Sequence, residues 1–528
     1  MHYYSAELEC GIRVQLYIAL IKTLSSDLYI MRGLADVWTP KTPMKYLVKY
    51  SPEITIKSRP VRSRFARQLQ QNLSALLKRI SDQIKVQGNW DYIEINAPES
   101  LNQLQLHIEQ VLSSTQGICF FERVQHHLVS TLDDIQAHTL PVFESKLAGK
   151  TFAVRCKRAG RHPFTSMDVE KFVGGGFNVN TEAAGVNLTE PEVTVKLEVR
   201  GSDLFIIEEI LPGLKGFPLG TQDGVLSLLS GGFDSAVASY LSMRRGLLTH
   251  FCFFNLGGKE HEIAVKEVAL YLWMRYGSTH TIKFISVPFE DVVAEILEKV
   301  DNSQMGVVLK RMMLRAAEKV AKKIKVEALV TGEAVAQVSS QTLANLAVID
   351  EVTDMLVLRP LAMMEKQTIV DMARKIGTEE FSAVIPEYCG VISIKPTTRA
   401  RMHKIEKQEG WFDFSVLDEA IANSVTVAID KIDLEAEQSS EVVRIVSKPE
   451  AGEIILDIRH PDEEEHQPLV LDSNPVEKVP FYKLNKAFPE LPNKSSYLLY
   501  CSKGLMSKIH ASYLLDQGYT NVSVYRPE

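Results

Sequence analysis

One strand of this chain ends in two glycines and two hydroxyls, and that junction constrains the fold most. Val225-Leu-Ser-Leu-Leu229 runs into Ser230-Gly231-Gly232-Phe233-Asp234-Ser235, and a helical pattern over 236–245 follows. Glycines let backbone N–H groups approach an anion closely, a helix starting there favours negative charge, and Ser230 and Ser235 add donors. An ordinary turn with Asp234 or Ser235 capping the helix is the plain alternative. Further apolar strands are expected at 251–254, 282–287, 328–331 and 356–358, separated by helical patterns. Such alternation predicts a doubly wound, mostly parallel sheet over 215–410. The Gly149-Lys150-Thr151 run has Glu144 where a Walker A loop needs its first glycine, so it is not a second phosphate loop.

Upstream the chain is basic although the whole is not. Its 528 residues, enough for about three to five domains, carry a net charge of −7, so polyanion binding cannot rest on the total. Residues 45–85, however, set ten Lys and Arg against Glu53 and Asp82, and 150–171 is basic again. Lys57, Arg59, Arg62, Arg64, Arg155, Lys157, Arg158 and Arg161 are therefore candidate contacts to a phosphate backbone. A solvated helix face is the alternative. Strand 45–50, helix 61–80, strand 90–95, helix 101–112 and strand 118–123 read as a ferredoxin-like α+β module, assigned to 44–105. Helix 130–147, strand 152–156, a turn at Gly174-Gly175-Gly176 and strands 193–200 and 204–210 form a second α/β unit, 106–210. An acid-rich linker, 411–448, leads to a last α/β domain, 449–528. Residues 1–43 end in the breaker-rich Thr39-Pro-Lys-Thr-Pro43 and are expected to be an extension, with Met44 the native initiator. The intact mass of protein from its native locus tests this.

None of the six cysteines, at 10, 119, 156, 252, 389 and 501, stands in a C-x-x-C pair or zinc-ligand spacing, so no metal site is expected from them. No apolar run approaches the roughly 20 residues of a membrane span; the expected setting is a reducing cytoplasm. Cys501 closes the apolar run 497–500 and opens Cys501-Ser-Lys-Gly-Leu-Met-Ser507, ahead of a helix over 508–517 that Gly518 stops. A helix N-terminus lowers the cost of a thiolate, and its N–H groups can hold the outer sulfur of a persulfide. A small buried core residue is the alternative. Cys389, in Pro386-Glu-Tyr-Cys-Gly390 with Lys395 nearby, reads on its own as packing beside a turn.

Ser230–Ser235 resembles the loop of the PP-loop ATP pyrophosphatases, which activate a carbonyl oxygen as an adenylate. The Cys501 loop, with Ile454-Ile-Leu-Asp457-Ile-Arg459, resembles a rhodanese domain. From about Met44 to Pro527 the chain resembles the bacterial tRNA 4-thiouridine synthetases, uracil 4-sulfurtransferases with an appended rhodanese domain. The likeness is carried by Ser51-Pro-Glu-Ile-Thr-Ile-Lys57, Leu228-Leu-Ser-Gly-Gly-Phe-Asp234, Phe253-Phe-Asn-Leu-Gly257, Thr331-Gly-Glu333, Gln337-Val-Ser-Ser-Gln341, Pro386–Gly390 and Tyr525-Arg-Pro527.

That resemblance implies a multidomain α/β protein: ferredoxin-like module, THUMP RNA-binding domain, PP-loop ATPase domain and rhodanese domain. It places ATP against Leu228, Leu229, Ser230, Gly231, Gly232, Asp234, Ser235, Phe253, Phe254, Lys310, Gly332 and Gln341. It gives Mg²⁺ to Asp234, a phosphate or tRNA contact to Lys366, a persulfide to Cys501 and a redox disulfide to Cys389 and Cys501. The plain alternatives for Lys310 and Lys366 are solvated helix charges. Implied partners are tRNA, a cysteine desulfurase, a sulfur carrier of thiamine synthesis and a second copy of the chain. The expected reaction adenylates O4 of uridine 8 and replaces that oxygen with sulfur. A PP-loop ligase acting on a small molecule, or an RNA-binding protein without catalysis, are the rival classes.

Overall fold

The computed structural model describes residues 43–256, 258–385, 396–432, 443–459, 464, 468–471, 473–480, 484, 487–501 and 505–527. Residues 1–42 of the extension, the Cys389 segment 386–395 and residues 433–442 of the linker lie outside them. The chain divides into two compact units between Pro218 and Leu219.

In the first unit, β1 (Met44–Tyr50) buries Met44, Tyr46, Leu47, Val48 and Tyr50, the pattern of an interior strand. With β2 (Lys85–Gly88), β3 (Tyr92–Ala97), β4 (Ile118–Leu128), β5 (Thr151–Ala159), β6 (Gly185–Val186), β7 (Val193–Arg200) and β8 (Asp203–Pro212), it forms one sheet in the order β2-β3-β1-β4-β8-β7-β5-β6. β4 runs well beyond the expected 118–123. It pairs antiparallel with β1 on one side and β8 on the other, so the two expected modules share a sheet. Helix α1 (Arg59–Lys78) buries Phe65, Leu69, Leu73, Leu76 and Leu77 at helical spacing. The expected helix 101–112 is a 3₁₀ stretch, Glu99–Leu104, followed by α2 (Gln105–Ser114).

The expected turn at Gly174–Gly176 is wrong. These glycines lie inside α4 (Ser166–Asn180), which Thr165 and Asp168 start with a capping box and which packs beside α3 (Leu132–Leu147). A Cβ on Gly176 would stand 2.3 Å from Cδ of Gln136 on α3, so a larger residue there would require the Gln136 side chain to move.

The second unit carries two sheets. The first has β9 (Gly224–Leu228), β10 (Leu248–Asn255), β11 (Lys283–Pro288), β12 (Ala328–Val330), β13 (Leu356–Leu358) and β14 (Val425–Ala428) in the order β13-β12-β9-β10-β11-β14. All neighbours are parallel except β14. The order reverses between β9 and β12, so loops leaving their carboxyl ends diverge and open a crevice, where doubly wound sheets hold ligands. Helices α5 (Phe233–Arg244), α6 (Gly258–Leu272) and α7 (Met305–Ile324) cover the sheet. The last sheet is parallel, β15-β19-β18-β16-β17, built from β15 (Ile445–Val446), β16 (Ile454–Asp457), β17 (Val476–Lys478), β18 (Tyr497–Tyr500) and β19 (Val522–Tyr525). Among the described residues no helix is long and apolar enough to cross a membrane.

Candidate active site

β9 delivers the Ser230–Ser235 loop to the start of α5. Gly231 sits at φ +82°, open to glycine at little cost, and a Cβ there would strike Ile385 Cδ1 at 2.5 Å. Ser235 Oγ accepts from Ser230 N at 3.1 Å and donates to the Gly232 carbonyl at 3.1 Å, which fixes the loop. Gly332, at the end of β12, lies against this loop: a Cβ would meet the Asp234 carbonyl carbon at 2.6 Å. The two loops flanking the switch point therefore touch through a residue that must lack a side chain.

The crevice is a cavity of about 310 Å³, lined by Leu228, Leu229, Ser230, Gly232, Asp234, Ser235, Phe253, Phe254, Lys310, Gly332 and Gln341 among others. Of the expected nucleotide residues, only Gly231 is not on its wall. Phe253 and Phe254, at the end of β10, supply apolar surface; Phe253 meets the His261 ring edge-on at 4.7 Å. Asp234 is the acid at the loop. Lys366, the first residue of α8 (Lys366–Ile376), donates to both its oxygens at 2.9 and 3.0 Å, and Gln337 Nε2 donates to Oδ2 at 2.8 Å. Lys366 is thus tied to the pocket rather than free on its helix.

Lys310 reaches the wall from α7 and donates to Glu333 Oε1 at 2.6 Å. Glu333 also accepts from Thr331 Oγ1 at 3.0 Å and from Arg359 Nε at 2.9 Å, and Arg359 pairs in turn with Asp350. Burial alone would raise the Glu333 pKa, but the Lys310 and Arg359 charges outweigh it and hold the carboxyl below its usual value. The cluster fixes a cation on the wall opposite a glycine-rich loop, and the cavity joins apolar aromatic surface to converging donors. It fits a nucleoside triphosphate, and Asp234 is the oxygen ligand suited to Mg²⁺.

Cys501 stands one residue past β18, 9% exposed. Ser507, in the first turn of α10 (Leu505–Asp516), donates its backbone N–H to Sγ at 3.3 Å, and its Oγ lies 3.2 Å from the sulfur. Sulfur at a helix N-terminus is the arrangement the loop spacing predicts. Beneath it, Asp457 and Arg459 form a fully buried pair, Arg459 Nε to Oδ1 2.8 Å, with the guanidinium 5.0 Å from the Tyr500 ring centre. Cys389 lies outside the described residues. The residues flanking its segment, Ile385 and Pro396, both line the cavity, and Phe381, on α9 (Glu379–Val384), packs against the cluster that contains Cys501.

The basic candidates remain largely on the surface of the first unit. Lys57, Arg59, Arg64, Arg155, Lys157 and Arg161 are exposed. Arg62 is held by the Trp90 carbonyl at 2.7 Å and stacks 4.2 Å from the half-exposed Trp90 ring, and Arg158 contacts His162. Two counted lysines are spent inside the sheet: Lys45 pairs with Glu94 at 2.8 Å and Lys49 with Glu122 at 3.0 Å. The charge open to a ligand is smaller than the sequence count. The sequence reading assigned no role to Glu333, Gln337, Arg359 or His261. A signal existed for the first: an acid directly after the glycine that ends an apolar strand is poised over the same crevice.

The comparisons with known proteins agree with this layout. The chain matches the ThiI ferredoxin-like domain over 45–131, the THUMP domain over 129–207, the family described as thiamine biosynthesis protein (ThiI) over 220–414, and the rhodanese-like domain over 440–526. A solved crystal structure of a 4-thiouridine synthetase–RNA complex with bound ATP superposes with a TM-score of 0.64 at 26% identity, covering 73% of this chain and 99% of that one. The tRNA sulfurtransferases of Saccharophagus degradans and Shewanella pealeana are each 51% identical to it over 484 residues, 92% of this chain and 100% of theirs. With that identity across the whole length of such relatives, the chain belongs to the tRNA sulfurtransferase family of enzymes.

Proposed function

We propose that this protein uses ATP to activate O4 of uridine 8 in tRNA and replaces that oxygen with sulfur carried as a persulfide on Cys501, giving 4-thiouridine. O4 attacks the α-phosphorus of ATP, and pyrophosphate leaves. Lys310, held by Glu333, and the Ser230–Ser235 amides meet the phosphates; Asp234 would hold Mg²⁺, which would neutralise phosphate charge. Lys366 then turns from Asp234 toward the reacting phosphate or the RNA. The outer sulfur of the persulfide attacks C4, the C4–O bond breaks, and AMP leaves. The Cys389 thiolate attacks Sγ of Cys501; the S–S bond breaks, sulfur remains on C4, and a Cys389–Cys501 disulfide forms. An external dithiol returns it to two thiols with two electrons.

One observation carries the reading. The two residues flanking the Cys389 segment line the nucleotide cavity, and Phe381 just upstream packs on the cluster holding Cys501, so nucleotide and sulfur chemistry converge on one stretch of chain. In this reading residues 44–210 face RNA, 215–410 hold ATP, and 449–528 carry sulfur. A cysteine desulfurase loads Cys501, and the same sulfur also serves a carrier protein of thiamine synthesis. A dimer, in which one basic module presents RNA to the other subunit's cavity, and a cytoplasmic setting complete it. The test is incubation of purified protein with Mg-ATP, a cysteine desulfurase, cysteine and unmodified tRNA, with nucleosides read by mass spectrometry. 4-Thiouridine that depends on both ATP and Cys501 is the expected product; AMP and pyrophosphate without thiolated RNA move the substrate to a small molecule.

A further inference from the structure

We infer that Glu267 and His510 are positioning residues that seat the sulfur-carrying domain on the nucleotide domain, so that sulfur is handed over within one docked unit. The inference rests on the sulfur-transfer reading above and names a contact that reading does not use. Helix α6 borders both sites. In its first turn His261 lines the cavity, with Nε2 3.3 Å from the Ser230 carbonyl. Ile263, two residues on, packs against the cluster that contains Cys501. One turn further, Glu267 Oε1 stands 2.9 Å from His510 Nε2 on α10.

Helix α10 has the same organisation from the other side. Ser507 in its first turn holds the Cys501 sulfur, and His510 lies one turn later. Each helix thus touches a reacting group with its N-terminal turn and the other helix just behind it. Among the described residues, Ile263 and Phe381 add apolar contact to the cluster. Apolar burial has no direction and tolerates sliding, whereas an imidazole–carboxylate pair, here only 5% and 9% exposed, brings its two groups within reach of each other in one register. The pair therefore sets where Cys501 sits relative to the nucleotide cavity that His261 lines.

The experiment uses the full-length protein and two near-isosteric variants, Glu267→Gln and His510→Gln. Hydrogen exchange reads docking directly: amides in 258–272 and 505–516 are expected to exchange faster in either variant, those of the β9–β13 sheet unchanged. ATP–pyrophosphate exchange and persulfide loading of Cys501, read by cyanolysis, are expected to stay at the level of the unsubstituted protein. Handover from preloaded Cys501 to tRNA in a single turnover is expected to slow about tenfold, within the range of coupling between sites. Unchanged exchange in both helices overturns the inference, as does a handover rate that falls only in step with the two half-reactions. Absence of 4-thiouridine from the unsubstituted protein sinks the sulfur-transfer reading and leaves the exchange comparison to decide the docking.

Discussion

Two strand-to-helix junctions of this chain use one backbone device for different chemistry. After β9 the chain turns through Ser230–Ser235 into α5; after β18 it passes Cys501 into α10. Each junction places a helix N-terminus at the carboxyl edge of a parallel sheet. The first is lined by glycines and hydroxyls and opens on a 310 Å³ cavity. The second presents one sulfur, 9% exposed, to the amide and hydroxyl of Ser507 among the described residues. The difference teaches that the fold supplies the positive end of a dipole at both places, and that side chains decide whether it opens on a roomy polar cavity or closes on a single sulfur.

The largest effect separates the two junctions outright. Cys501→Ala is expected to abolish multiple-turnover thiolation while ATP binding and AMP formation persist; unchanged 4-thiouridine in a cell carrying only that variant contradicts a carrier role. Asp234→Asn is the reciprocal: adenylation falls by about 10²–10³, as when a group stabilising charge in the transition state is removed, and persulfide loading stays normal. Parallel loss of both half-reactions in either variant breaks the comparison.

A smaller effect sharpens it. Gly332→Ala puts a Cβ 2.6 Å from the Asp234 backbone, so the loops flanking the crevice must part. Thermal unfolding is expected to show a loss of about 1–3 kcal/mol together with a raised KM for ATP, and sulfur loading without change. An unaltered KM shows that the contact between the two loops does not shape the pocket.

The smallest effect comes from a third thiol. Cys252 lies within β10, fully buried on the wall of the nucleotide cavity, where burial pushes its pKa up. Cys252→Ala is expected to cost about 1 kcal/mol of stability and leave persulfide loading of Cys501 intact. Loss of sulfur loading there would mean that position past a strand end is not what marks Cys501.

Much of this was legible in sequence because the decisive signals are local. A strand followed by two glycines, or by a cysteine and a helix pattern, needs no tertiary information to read. The nucleotide residues assigned by resemblance line one cavity, save Gly231, which shapes the loop from behind. The failures are all nonlocal. Three successive glycines look like a turn, yet at Gly176 a side chain would meet that of Gln136 forty residues earlier. Lys45 and Lys49 count as surface charge until β4 and β7 bring Glu122 and Glu198 beside Lys49, and β3 brings Glu94 to Lys45. Glu333 and Arg359 acquire meaning only when α7 carries Lys310 across the sheet to meet them. The contact of α6 with α10 joins residues 243 positions apart and leaves no periodic trace.

The central claim is that the oxygen of uridine 8, and not some other acceptor, is activated by ATP before sulfur arrives. It is tested most directly with tRNA carrying ¹⁸O at O4 of that uridine, converted in a single turnover. The account predicts ¹⁸O in the released AMP, mole for mole with 4-thiouridine; thiolated RNA with unlabelled AMP would contradict it.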